Sequence, residues 1–529
     1  MRTPCDEVVN RTTDAGVPCT AKARTWILVA TILGSSMAFI DSTVVNVALP
    51  AIQATFHATV VDMQWVVESY GLFLAALILV GGSLGDLFGR RRIFVVGVAI
   101  FAVASAGCGV ASNIHHLIIA RSAQGVGAAL LVPGSLAIIS TSFDKTSRGQ
   151  AIGTWSGFTA ITTAVGPVLG GWLVEHASWR WAFFINLPLA AAVIVTSLWW
   201  IQESRSSIAS RVDWLGALLA TVGLGGLVNG FIESISLGWR NPLVVGSLIV
   251  GFGCLIAFVF VQANVTSPML PLTLFESRSF SGANLLTLFL YAAIGIFFFL
   301  FPLNLIQVQG YPATAAGAAV LPLILLMFLL SRWSGGLVAH YGARGPLIIG
   351  PLIAALGFVL FAVPSVGDSY WKTFFAAILV LGFGMAVTVA PLTTVVMNSV
   401  NQDRVGTASG INNAVARVAG VIAIAVLGVV MVKAFGSHLN HSLAHVSLPP
   451  AILQELQANE IKLAGLQVPA EFDPGTKAAI KELIAEAFVF GFRIVMLICA
   501  GLSLASAAVT WLMIPKDRDR PRLAVRVQI

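Results

Sequence analysis

Read along its length, the chain alternates long apolar runs with short polar joints, and each run holds the roughly 20 residues that a helix needs to cross a bilayer. The pattern predicts spans near 25–47, 63–84, 92–112, 116–140, 150–174, 180–201, 213–232, 242–262, 280–307, 314–340, 345–364, 372–398, 406–434 and 488–513, with each end placed to within about 2–4 residues. An even number puts both termini on one side. The rhythm breaks at 435–487, a mostly polar stretch with helical patterns near Pro450 to Leu466 and Thr476 to Ala487, which by parity faces outside. The tails, 1–24 and 514–529, are polar.

One joint repeats. Gly82-Ser-Leu-Gly-Asp86-Leu-Phe-Gly89-Arg90-Arg91-Arg92 follows the second run, and Gly335-Gly-Leu-Val-Ala339-His-Tyr-Gly342-Ala-Arg344 echoes it at the corresponding place of a second half, with Ala339 where Asp86 stood. The repeat implies two six-helix bundles, at 25–201 and 280–513, with a linker at 202–279 that carries two inserted spans. The expected fold is therefore an all-α integral membrane protein of fourteen transmembrane helices.

Composition supports this. Hydrophobic residues make up 57% and charged residues 10% of the chain, with a mean hydropathy of +0.90, too little polar surface for a soluble globule. The net charge of +7 belongs to cations beside the apolar runs, so it reads as orientation and not as nucleic-acid affinity. Most Lys and Arg fall on the side of the termini, which makes that side cytoplasmic. The basic tail, Lys516, Arg518, Arg520, Arg522 and Arg526, strengthens this orientation. The five cysteines are scattered, with no metal-site or disulfide spacing. His438, His441 and His445 lack a fourth ligand nearby, so no metal site is assigned. Residues 1–23 show no cleavable signal, and the sequons at Asn10 and Asn264 lie on the cytoplasmic side of this topology.

Polar groups inside the spans carry the chemistry, because a charge at mid-bilayer costs about 2.5–3.5 kcal/mol and needs a partner or water. In span 1, Asp41 and Asn46 lie in Asp41-Ser-Thr-Val-Val-Asn46-Val-Ala-Leu-Pro50, which ends in a helix-breaking proline. Asp41 is either a proton-exchanging carboxylate or a structural acid bonded to Thr43 or a neighbouring span. Glu68 on span 2 is a second intramembrane acid, flanked by Trp65 and Tyr70, which could contact a flat or cationic ligand or anchor the interface. Arg121, in Arg121-Ser-Ala-Gln124-Gly125-Val-Gly127, is the lone cation of span 4 and needs an anionic or carbonyl partner. In the joint, Asp86 can pair with an arginine or cap a helix. Span 5 carries a glycine ridge, Gly153, Gly157, Gly166, Gly170 and Gly171, interrupted by Pro167, suited to close and movable helix contact.

These segments together resemble the fourteen-span drug:proton antiporters of the major facilitator superfamily, and the resemblance covers nearly the whole chain. It continues in Trp179-Arg-Trp-Ala-Phe-Phe-Ile-Asn186-Leu-Pro188, in Val212-Asp213-Trp214-Leu-Gly216, and in Arg404-Val-Gly-Thr-Ala-Ser-Gly410 with Asn412, Asn413 and Arg417 beyond. The resemblance implies that Gly157, Gly166, Pro167, Gly170 and Gly171 form the exporters' antiporter motif and that Gly82, Asp86, Gly89, Arg90 and Arg91 form a conformational latch. It also implies that Arg121 takes part in proton transfer, and Asn412 and Arg417 are possible cavity residues. Two departures are visible: Thr162 stands where the family often has glycine, and Ala339 removes the acid from the second latch.

The expected function is proton-coupled export of drugs or other amphipathic small molecules, cations above all, by alternating access in the cell membrane. It needs protons, a small-molecule substrate and lipid, but no metal or organic cofactor and no nucleic acid. A dedicated exporter of an endogenous product fits the same scaffold, and an accessory efflux protein could meet the outer loop. Neither a nucleophile and base nor clustered ligands mark an enzyme, and a non-transporting receptor is the remaining alternative.

Overall fold

A computed structural model describes residues 21–143, 148–205, 212–400, 405–444, 456, 459–466 and 474–515. Among them, fourteen helices are long and apolar enough to cross a membrane. They are α1 (Ala21–Phe56), α2 (Val60–Phe88), α3 (Arg90–Gly109), α4 (Ile114–Ser142), α5 (Arg148–His176), α6 (Trp181–Trp200), α7 (Trp214–Leu237) and α8 (Pro242–Asn264). The second half holds α9 (Arg278–Leu303, continued by a π-helical turn), α10 (Ala313–Ala318 and Leu321–Tyr341), α11 (Arg344–Phe361), α12 (Phe374–Asn398), α13 (Val405–Leu443) and α14 (Pro474–Met513). Side-chain caps start several of them. Thr59 and Asp62 form a reciprocal capping box at α2, Asn113 caps α4, Asp213 caps α7, and Ser277 caps α9.

Two expected boundaries move. Span 1 was expected to end by Pro50, yet α1 runs through it to Phe56; the missing amide removes a single bond, and packing within a membrane bundle tolerates that loss. The polar stretch 435–487 is helical at both ends, since α13 continues to Leu443 and α14 begins at Pro474. Apolar stripes explain the extension, with Phe435, Leu439, Leu443, Ile480 and Ile484 buried and His438 stacked on Phe490 at 4.6 Å. Forty residues at 1.5 Å each make α14 about 60 Å long, twice the hydrocarbon thickness. His445 and most of both terminal tails lie outside the described residues.

The first six helices and the last six form the two bundles, and α7 and α8 pack on each other as an inserted hairpin. Gly226 and Gly251 meet back to back there, and α7 lies against both α2 and α13. The bundles touch along α2 with α13 and along α5 with α10. One apolar core fuses them near the ends of α1 and α9, where Leu49, Ile52, Val60 and Met63 join Phe297, Phe301, Phe358 and Phe374. Toward the face where α1 begins and α14 ends, the first bundle keeps a separate core around Phe94, Phe101 and Leu131. The halves are thus welded at the distal face and less joined at the termini face.

The repeat is visible in the backbone. Gly89 and Gly342, at matching places in the two joints, both take positive φ, +113° and +72°, a conformation that glycine adopts without strain.

Candidate functional site

The two charges that the sequence left without partners, on α1 and α4, meet. Asp41 and Arg121 form an ion pair with both side chains closed to solvent. Three neutral side chains complete it. Gln124 accepts from Arg121 at 2.7 Å and donates through Nε2 to Asp41 at 2.7 Å and to Ser105 Oγ at 2.8 Å. Asn186 of α6 donates to Asp41 and to Ser105, each at 3.3 Å. Arg121 Nε also donates to the Val66 carbonyl at 3.0 Å, and its guanidinium lies 4.3 Å from the centre of the Tyr70 ring. Charge-assisted bonds from every side are what a buried pair needs to offset desolvation. Asp41 therefore bonds across helices, and Thr43 instead donates to its own helix at Phe39 and Ile40.

Glu68 is the opposite case. It is 1% exposed, and among the described residues neither carboxyl oxygen has a hydrogen-bond partner. Its neighbours in the same row of α2 face α13: Gln64 donates to the Ile424 carbonyl at 2.9 Å, Gly71 meets Val421, and Leu79 meets Gly410. Glu68 thus sits in the seam between the bundles.

The other sequence candidates separate into distinct places. Asn46 donates to the Ser42 carbonyl at 3.3 Å while its own oxygen stays enclosed without a partner among the described residues. Trp65 donates from its indole to Glu233 of α7 at 3.0 Å, so it ties α2 to the inserted hairpin. Tyr70 belongs to the Arg121 cluster, with its hydroxyl donating to the Ala38 carbonyl at 3.3 Å. Asn412 braces α13 to α9 through Asn284 at 3.2 Å and Thr287 at 2.7 Å. Arg417 is part-exposed and makes no hydrogen bond or ion pair with a described residue.

In the joint after α2, Arg90 binds Asp86 one turn back, at 2.9 Å through Nε. Glu203, beyond α6, accepts from the backbone amides of Arg91 and Arg92 at 3.2 Å each, so a carboxylate caps the first turn of α3. Arg91 donates to the Ile201 carbonyl at 3.0 Å. A side chain at Gly89 would collide with the Glu203 carboxylate, and Gly82 lies beside Pro133. The joint is held by its own bundle.

The glycine ridge divides α5 between two neighbours. Gly166 and Gly170 lie against Thr43 and Val44 of α1, while Gly171 lies against Ala313 and the Pro167 carbonyl against Gly317, both in the first piece of α10. A methyl group at Gly157 would meet Phe328 only at ordinary van der Waals distance, so this contact is looser. Thr162 turns its hydroxyl to the Thr159 carbonyl at 2.9 Å.

Gln124, Ser105, Asn186 and Glu203 are the residues that sequence reading did not assign. Gln124 stands one turn from Arg121, a usable signal; the others are polar letters whose partners lie far away in the chain.

A chain of two six-helix bundles around facing polar seams, with an inserted hairpin, has the build of a membrane transporter. The Major Facilitator Superfamily model matches residues 31–214 and 208–424, and the chain belongs to that family. It is 34% identical over 503 residues to the multidrug resistance protein Stp of Mycobacterium tuberculosis, covering 93% of this chain and 92% of that protein. It is 32% identical over 499 residues to the tetracenomycin C resistance and export protein of Streptomyces glaucescens, covering 92% and 91%. Among solved structures, a bacterial homolog of the human lysosomal transporter Spinster superposes with a TM-score of 0.64 at 17% identity, covering 93% of this chain and 98% of that one. The POT family transporter PepTSo gives 0.62 at 14% identity, covering 94% and 98%. The protein is a multi-pass membrane transporter of small molecules, not an enzyme.

Proposed function

We propose that the protein exports drugs or other amphipathic small molecules from the cytoplasm in exchange for protons, with both termini cytoplasmic in the cell membrane. The observation that carries the coupling is Glu68, enclosed in the seam between the bundles without a partner among the described residues. A carboxylate there costs several kcal/mol, which a bound proton removes. Opening the seam to water lets the proton leave, so proton binding and helix closure are linked. Asp41 and Arg121, held by Gln124 and Asn186, supply a fixed charge pair beside the α1–α5 contact. Arg121 takes part in proton transfer by field and not by release. The Gly166–Gly171 ridge serves as the rocking contact, and Asp86 with Arg90 as the latch. One charge moved through 100 mV is worth about 2.3 kcal/mol, enough for well over tenfold accumulation.

The export reading draws on the relatives, whose names include multidrug resistance and tetracenomycin C export. Relatives named for a single compound, such as the lincomycin resistance protein of Streptomyces lincolnensis, favour a second reading, a dedicated exporter of one product. Proteoliposomes with an internal pH dye test the coupling. Added amphipathic dyes should release protons down an imposed gradient; silence across a broad panel, from folded protein, would turn the account to the dedicated exporter.

A further inference from the structure

The face that α13 turns toward the first bundle is a single row at helical spacing: Gly410, Ala414, Arg417, Val421, Ile424 and Gly428. Each neighbour of Arg417 in that row is occupied. Gly410 meets Leu79, Ala414 packs on the core of the first bundle, Val421 meets Gly71, and Ile424 and Gly428 meet Gln64. Arg417 is the row's charge, it retains accessible surface, and it makes no hydrogen bond or ion pair with a described residue. The nearby Tyr70 hydroxyl is committed to the Ala38 carbonyl. Glu68 does not serve as its partner. The flanking contacts set Glu68 level with the stretch between Val421 and Ile424 and Arg417 level with the stretch between Gly71 and Leu79. That stagger is about 5–7 residues, or roughly 10 Å along the helices.

The seam therefore holds a sealed acid and a part-exposed cation. Asp41 and Arg121 neutralise each other, and Glu68 is closed off, so among the described residues of the seam the part-exposed, unpaired charge is the Arg417 guanidinium. We propose that Arg417 is a specificity-determining residue that reads an acidic oxygen on the transported molecule, which places amphipathic compounds bearing a carboxylate, phenolate or enolate in the substrate class. This rests on the export reading and replaces its expected preference for cations. A guanidinium suits the role because it stays charged in an apolar seam and offers forked donors to paired oxygens.

Two xanthene dyes of similar size test it: fluorescein, with acidic oxygens, and rhodamine 6G, a fixed cation. Binding is read by anisotropy with the purified full chain, and flux in proteoliposomes. Arg417→Gln should weaken fluorescein binding by about tenfold or more, Arg417→Lys should restore part of it, and rhodamine 6G binding should stay within about twofold. Equal fluorescein binding by Arg417→Gln and wild type would overturn the assignment. So would failure of the wild type to bind fluorescein, or parallel loss of both dyes together with a lower melting temperature. Arg417-dependent fluorescein binding without any flux would support this site and overturn export instead.

Discussion

Asp41 and Arg121, eighty positions apart in the chain, meet as a buried ion pair in which Gln124 bonds to both partners at once. The pair joins α1 to α4, and Asn186 ties α6 to the same carboxylate. With Arg121 also bonded to the Val66 carbonyl of α2, it is a junction of four helices, so its loss is felt as structure before it is felt as chemistry.

Removing one partner should therefore cost about 3–5 kcal/mol, because the other charge is left buried and uncompensated. Asp41→Asn or Arg121→Gln should melt well below wild type in detergent, and the double substitution should lose less than the two singles added together. Melting curves of the four proteins check this, and strictly additive losses would show that the charges do not depend on each other.

Gly171 lies against Ala313 where α5 meets α10, close to the distal face. Gly171→Val should force these helices apart and spread the distal ends. Gln53 is 6% exposed and bonded to the Lys462 carbonyl and Gln307 there. A Gln53→Cys reporter should react slowly with a membrane-impermeant maleimide, and several-fold faster once Gly171→Val is added.

Glu203 caps α3 through the amides of Arg91 and Arg92. Glu203→Gln should weaken this end by about 0.3–1 kcal/mol, the range for a charge at a helix N-terminus. Hydrogen exchange of the first turn of α3 should quicken while that of α4 stays unchanged.

Tyr370, in the segment between α11 and α12, donates to the Ala319 carbonyl at 2.8 Å, inside the break of α10. Burial pushes its phenol from 10.0 up to about 12. The folded state thus favours the neutral phenol, so this contribution is complete below pH 10 and is lost as pH rises from 10 towards 12. Base titration of stability in detergent should show that decline in wild type and a shallower one in Tyr370→Phe.

Much of this architecture was legible beforehand, because a helix in lipid must be apolar over a fixed length, and that constraint marks each span in the chain. The ends of α13 and α14 were not, since there the helices leave the bilayer and their stripes, such as Phe435 with Leu439 and Ile480 with Ile484, look like any soluble amphipathic pattern. Pro50 misled for a related reason: its local preference is to end a helix, and tertiary packing overrode it. The site was half legible. Asp41, Glu68 and Arg121 stood out as costly charges, but which of them pair is decided by helix neighbours that no spacing encodes. Asp41 found Arg121, and Glu68 was left alone. Glu203 was invisible because its partners are backbone amides more than a hundred residues away.

In the proposed mechanism the carboxyl of Glu68 carries the proton whose movement drives transport. Its most direct test is Glu68→Gln in proteoliposomes, comparing substrate exchange at equal pH with uphill transport under a proton gradient. Glu68→Gln should still exchange substrate across the membrane but no longer accumulate it against its gradient. Uphill transport at the wild-type rate and stoichiometry by Glu68→Gln would contradict it and return the proton to another group.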